Sequence, residues 1–148
     1  MGYRSAVRIV TSKKGFQELK KFSDKYLEDK KCGYPNILDE LDIFKENKYQ
    51  VYFGWNAIKW YEYSDYFQVD AIMEGLSHLA DKDYSYRFSR IGENFDDIDE
   101  KYYESEKEEE QDLEFPSIIR EFEDDYTEEY LMQQDQNCNE EELAVWNY

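Results

Sequence analysis

The 148-residue sequence is short of the residues that usually mark a reactive site: it has one histidine, two cysteines, two prolines and six glycines. No apolar run approaches the roughly 18 residues that a membrane-spanning helix needs. The N-terminal stretch also lacks the apolar centre of a signal peptide. A soluble, unexported protein is expected, in the cytoplasm and away from membranes. Cys32 and Cys138 lie far apart and without the CxxC spacing of a zinc or redox site, which fits free thiols in a reducing compartment. Neither GxGxxG nor GxxxxGK[ST] occurs and Gly92 stands alone, so nothing points to a phosphate-binding loop. No Ser or Cys neighbour of His78, adjacent Ser77 included, suggests a triad, and its place beside an apolar helical stripe fits a structural role. Asp96, Asp97, Asp99 and Glu100 form an acidic cluster, yet the central glycine and terminal glutamate of a calcium loop are missing. No cofactor and no metal are expected. Carboxylates are so abundant that no pair can be singled out for hydrolysis, and binding rather than catalysis is the expected role.

What the chain does have is aromatic bulk and segregated charge. Apolar residues make up 41% of the sequence and aromatics 18%, enough for the core of one domain. Residues 1–92 hold 15 basic and 14 acidic residues and carry net +1. Residues 93–148 hold 3 basic and 22 acidic residues and carry net −19, so the whole formal charge of −18 belongs to one end.

Along the first part, residues 3–11 alternate loosely and are rich in β-branched side chains, as in a strand. Ser12 has the chemistry of a helix N-cap. Phe16, Leu19, Phe22, Tyr26 and Leu27 recur at helical spacing until Gly33-Tyr34-Pro35, where the helix should stop. Two or three short strands follow between residues 38 and 61, with Asn47-Lys48 as a hairpin turn and residues 49–53 and 55–61 as aromatic β segments. Val69, Ile72, Met73, Leu76, Leu79 and Ala80 then form the stripe of a second helix, and residues 84–91 alternate again before Gly92. The order strand, helix, two strands, helix, strand predicts an α+β fold, a ferredoxin-like split βαβ sandwich over residues 1–92, with residues 93–148 as a partly ordered acidic C-terminal extension.

The extension is not uniformly polar. Phe95, Tyr102, Tyr103, Phe115, Ile118, Ile119, Phe122, Tyr126, Tyr130 and Leu131 interrupt it, which predicts that parts of residues 93–131 pack back on the domain, with 117–122 as an added strand and 127–134 helical. The apolar end, residues 143–148, is expected to dock on the core. The candidate partner-binding residues are Glu93, Asp96, Asp97, Asp99, Glu100, Glu104, Glu106, Glu108, Glu109, Glu110, Asp112, Glu121, Glu123, Asp124 and Asp125. Residues 93–129 carry net −15. As a helix rising about 1.5 Å per residue they would place one net charge every ~3.7 Å, close to the ~3.4 Å of one DNA strand. The same charge opposes direct nucleic-acid binding, and Arg4, Arg8, Lys13, Lys14, Lys20 and Lys21 read as a solvated basic face.

Residues 1–7 (MGYRSAV), 53–61 (FGWNAIKWY) and the stretch from Arg90-Ile91-Gly92-Glu93 to Asp96-Asp97-Ile98 resemble a group of small phage and prophage proteins that begin MGYRS. The resemblance covers about the first 100 residues and carries over no catalytic residue. It implies phage origin and, with the acidity, an inhibitor of host defence of the anti-CRISPR or anti-restriction type. Such a DNA mimic would bind a basic nucleic-acid-binding host protein. Two other readings stand beside it: a small-molecule or nucleotide sponge with Trp55 and Trp60 stacking on a ring, and a structural protein with a solubilising acidic tail.

Overall fold

The computed structural model describes residues 3–61, 67–94, 96–107, 110, 131, 132 and 134. It is an α+β fold in which five antiparallel strands form one sheet and two helices pack on one of its faces. The strands are β1 (Ser5–Ser12), β2 (Ile43–Glu46), β3 (Gln50–Ile58), β4 (Tyr86–Ile91) and β5 (Ile98–Tyr103); the helices are α1 (Lys13–Asp29) and α2 (Phe67–Asp81). The strand order β2-β3-β1-β4-β5 is that of the ferredoxin-like split βαβ sandwich with one strand added beyond β4. Among the described residues no helix is long and apolar enough to cross a membrane.

Strand β1 takes the centre because both its faces are needed. Val7 and Ile9 point to the helical face, where they meet Val51, Phe53 and Trp55 of β3, Phe88 of β4, Leu19 of α1 and Ile72, Leu76 and Leu79 of α2. Val10 points the other way and packs with Tyr52 and Leu131. Burial on both faces explains why the β1 sequence alternates only loosely. Ile9 lies between Phe53 and Phe88 in register, so the three strands put large apolar side chains in one row across the sheet.

The N-terminus of α1 forms as its sequence predicts, with Ser12 Oγ accepting from Gly15 N at 3.0 Å. Its C-terminus does not wait for Gly33. Cys32 N donates to Leu27 O and Lys31 N to Glu28 O, a Schellman pair that places Lys31 at φ 55°. Helix α2 ends the same way, Tyr84 N donating to Leu79 O and Asp83 N to Ala80 O, with Asp83 at φ 64°. Both left-handed positions carry side chains where glycine is favoured.

Strand β3 is continuous through Gly54, which sequence reading takes as a break. Gly54 stands there because a Cβ would lie 1.9 Å from the Val7 carbonyl oxygen. Residues 98–103, read as part of an acidic extension, form β5, paired along its length with β4. The sheet therefore continues past Gly92. Leu131, Met132 and Gln134 are helical as expected. The predicted strand at 117–122, the remainder of 127–134 and the apolar end 143–148 lie outside the described residues.

Two stability changes follow. Lys31→Gly should stabilise the protein by roughly 0.5–1 kcal/mol in urea unfolding, since it relieves the left-handed conformation at a cost in unfolded-chain entropy. Gly54→Ala should cost about 3 kcal/mol, because the added methyl meets backbone rather than a movable side chain. A loss below 1 kcal/mol would show that β1 and β3 can separate there.

Candidate functional site

The candidate acidic residues that the structure describes lie along β5 and the segments on either side of it. The β4–β5 turn is held by a polar cluster. Arg90 grips Asp97 with two bonds, Nη2 to Oδ1 at 2.8 Å and Nη1 to Oδ2 at 3.1 Å, and Nη1 also reaches Ser5 Oγ. Tyr3 donates its phenol to Asp97 Oδ2 at 2.7 Å and accepts from Asn94 N, while Arg4 N donates to Glu93 Oε2 at 2.6 Å. Tyr3 N in turn donates to Tyr61 Oη. Gly92 is required at this point, since a Cβ would fall 2.0 Å from Asp97 Oδ2 and 2.5 Å from the Tyr3 phenol. Tyr3, Tyr61 and the turn from Gly92 to Asp97 thus meet at one end of the sheet. Asp97 and Glu93 serve this junction, and Asp97 is half-buried in its ion pair.

Along β5, Ile98, Glu100 and Tyr102 are exposed, whereas Asp99, Lys101 and Tyr103 are half-buried. Tyr103 donates its phenol to Asp83 Oδ1 at 2.7 Å, tying the strand to the end of α2. This bond holds the Asp83 carboxyl below its ordinary value, with help from the Ser105 hydroxyl, and raises the Tyr103 phenol. Beyond the strand, Ser105 N donates to Ser85 Oγ, and the Lys107 ammonium sits 4.5 Å from the centre of the Tyr84 ring.

Glu110 departs most from the sequence reading. Its side chain is 1% exposed, with Oε2 accepting from Ser12 Oγ at 2.6 Å and Oε1 from Ser85 N at 2.9 Å. The hydroxyl that caps α1 therefore donates its hydrogen bond to a carboxyl group from the acidic segment. Glu110 is part of the fold and is withdrawn from any partner-facing surface. Of the candidate acids, those exposed to solvent are Glu93, Asp96, Glu100, Glu104 and Glu106. Glu108, Glu109, Asp112, Glu121, Glu123, Asp124 and Asp125 lie outside the described residues.

The geometry also alters the charge comparison with DNA. Over β5 the segment is extended, at about 3.3 Å per residue, and its six residues include two acids and one base. The spacing of a helical segment does not apply there.

Other candidates resolve into structure. Trp55 and Trp60 are buried at 3% and 6% exposure, and Trp55 Nε1 donates to Ile37 O, so neither offers a stacking platform. On the second face of the sheet, Tyr52 and Val10 lie beneath Leu131. The groove beside α1, lined by Phe22, Lys25, Tyr26 and Asp29, measures about 150 Å³, below the roughly 300 Å³ at which ligand pockets begin. His78 stacks on Phe22 and lies 3.4 Å from Glu18. Among the described residues no group of His, Cys, Asp and Glu could hold a metal ion. The expected basic face is divided: Lys13 pairs with Glu46 and Lys20 with Asp24 and Asp39. Arg8, taken as solvated, is buried and donates to Val7 O, Trp55 O and Asn56 Oδ1.

Sequence reasoning passed over Ile98 and took Tyr102 as one of the aromatics packing back on the domain; both are exposed apolar side chains on an edge strand. The signal was present, as Ile98, Glu100 and Tyr102 alternate with Asp99, Lys101 and Tyr103 after the turn at Gly92, but the density of acids masked it.

The Tyr103–Asp83 bond makes stability depend on pH at both ends. A carboxyl held low in the folded state contributes above its unfolded value near 4 and loses that contribution as pH falls through the folded value; a phenol held high contributes below about 10 and loses it as pH rises further. Tyr103→Phe should therefore destabilise most between about pH 5 and 9, and the difference from wild type should shrink outside that range in urea unfolding. A difference constant from pH 3 to 11 would mean that the bond contributes nothing. Compared with known proteins, the chain matches no protein-family model, no curated protein and no solved structure.

Proposed function

We propose that this protein is a phage-encoded inhibitor that occupies the basic nucleic-acid site of a host defence protein with its acidic C-terminal third, acting by binding and without catalysis in the host cytoplasm. The observation that carries this reading is the segregation of charge: net −19 after residue 92 against net +1 before it, on a body whose sheet edge exposes Asp96, Glu100, Glu104 and Glu106. A field of one sign speeds capture of an oppositely charged partner and rejects partners of like charge. The resemblance of the MGYRS opening and its companion segments supplies the phage origin and the defence target. Mimicry here rests on net charge and its placement on a folded scaffold, since the extended geometry of β5 does not copy the charge spacing of a DNA strand.

The test is capture of partners from a bacterial lysate at about 50 and 200 mM salt, a range over which phosphate-like contacts weaken steeply, followed by displacement with duplex DNA. The captured protein should be basic, should elute at the higher salt and should be released by the duplex. A triple variant, Glu100→Gln with Glu104→Gln and Glu106→Gln, should bind about tenfold more weakly, a loss of ~1.4 kcal/mol, with a shallower salt slope. Glu110 is left intact because it is buried. Unchanged affinity and slope in the triple variant would remove the exposed edge from the mechanism.

A further inference from the structure

Among the described residues strand β5 ends the sheet and is hydrogen-bonded to β4 alone. Gly92 N donates to Asp97 O at 2.7 Å, which makes these two a hydrogen-bonded antiparallel pair and sets the alternation along the ladder. Asp99, Lys101 and Tyr103 accordingly turn their main-chain groups toward β4, whereas Ile98, Glu100 and Tyr102 turn theirs outward. The outward N–H of Ile98 is taken by Asp96 O at 3.1 Å. Those of Glu100 and Tyr102 face away from the sheet, and among the described residues none accepts them. The side chains of Ile98, Glu100 and Tyr102 are also the exposed ones, Ile98 at 40% and Tyr102 at 69%. One short edge thus combines main chain with no partner among the described residues, two exposed apolar side chains and a carboxylate between them. Proteins ordinarily protect such edges, and an unprotected one is a template for strand addition.

We propose that the outer edge of β5 accepts an extended, positively charged segment of the partner protein as a sixth strand, with the main chain of Glu100 and Tyr102 making the hydrogen bonds. Charge selects the occupant. Asp96, Glu100, Glu104 and Glu106 are exposed along and beside the edge, so a lysine- or arginine-bearing strand is attracted. A second copy of this chain would bring the same acids against one another, with a charge of −18 on each molecule. Ile98 and Tyr102 flank Glu100 on one face, which suits a segment whose basic residue sits between apolar ones. The inference rests on the reading of the partner as basic and adds how it is gripped.

The experiment uses the full chain, isotopically labelled, and as probe a nine-residue peptide in which every second residue reads valine, lysine, valine, lysine, with threonine between, so that one face places lysine between apolar side chains. A fully N-methylated twin keeps the charge and removes every main-chain donor. Binding of the peptide should slow amide exchange of Glu100 and Tyr102 at least tenfold and leave Asp99 and Lys101, already bonded to β4, unchanged. The twin should bind at least tenfold more weakly. Tyr102→Pro, which removes an outward N–H and no bond to β4, should lose a similar factor; the exchange measurement on the unaltered protein stands independently if that variant folds poorly. Equal binding of peptide and twin, unchanged exchange at Glu100 and Tyr102, or no binding of either peptide overturns strand addition. Equal binding that still weakens with salt leaves the electrostatic reading standing, whereas peptide binding indifferent to salt counts against that reading itself.

Discussion

The double burial of β1 constrains the rest of the structure. The strand is hydrogen-bonded to β3 on one edge and β4 on the other, and its side chains are covered on both faces. The helices supply one cover, through Leu19, Ile72, Leu76 and Leu79. On the other side Leu131 reaches back from the acidic third to close over Val10 and Tyr52, and Glu110 seals the end of the strand at Ser12. A buried arginine on this second face needs acceptors, and Arg8 finds them in the Val7 and Trp55 carbonyls. Gly54 allows β3 to approach β1 closely enough for that geometry.

The acidic third therefore divides into two chemistries. Some of its carboxylates hold the fold: Asp97 locks the β4–β5 turn through Arg90 and Tyr3, Glu93 takes the Arg4 amide at the surface, and Glu110 holds the cap of α1 from within. Others, along and beyond the edge strand, face solvent. A tail whose only purpose was solubility would need no buried glutamate and no leucine in the core. On the proposed reading, such anchoring also limits the entropy lost on binding, because the backbone of Glu100 is already ordered in β5.

Much of the fold was legible from sequence because apolar spacing and caps are local signals. The stripe from Val69 to Leu79 and the cap at Ser12 lie where periodicity and side-chain chemistry place them. Three features were not legible, each for a physical reason. The end of α1 depends on a left-handed lysine, which composition does not announce. The unity of β3 depends on Gly54 fitting against Val7, a contact 47 residues away in sequence. Strand β5 was hidden because charged residues on an edge need not be apolar to pair. At the candidate site, the acidity and its location could be read in advance, but not the sorting into buried and exposed carboxylates, since a run of glutamates gives no hint of which one meets a serine cap.

The placement of β1 also governs how the protein can be made. Of the five strands, the first to leave the ribosome is the one with neighbours on both sides, and those neighbours begin at Gln50 and Tyr86. The Tyr3 phenol finds Asp97 only 94 residues later. Contacts of such long range fold slowly compared with helical ones. A nascent chain that has finished both helices still carries an apolar strand lacking β4, so the sheet closes only once synthesis has passed Ile91. During that interval the unpaired strand is the part of the molecule most exposed to chaperones and to neighbouring nascent chains.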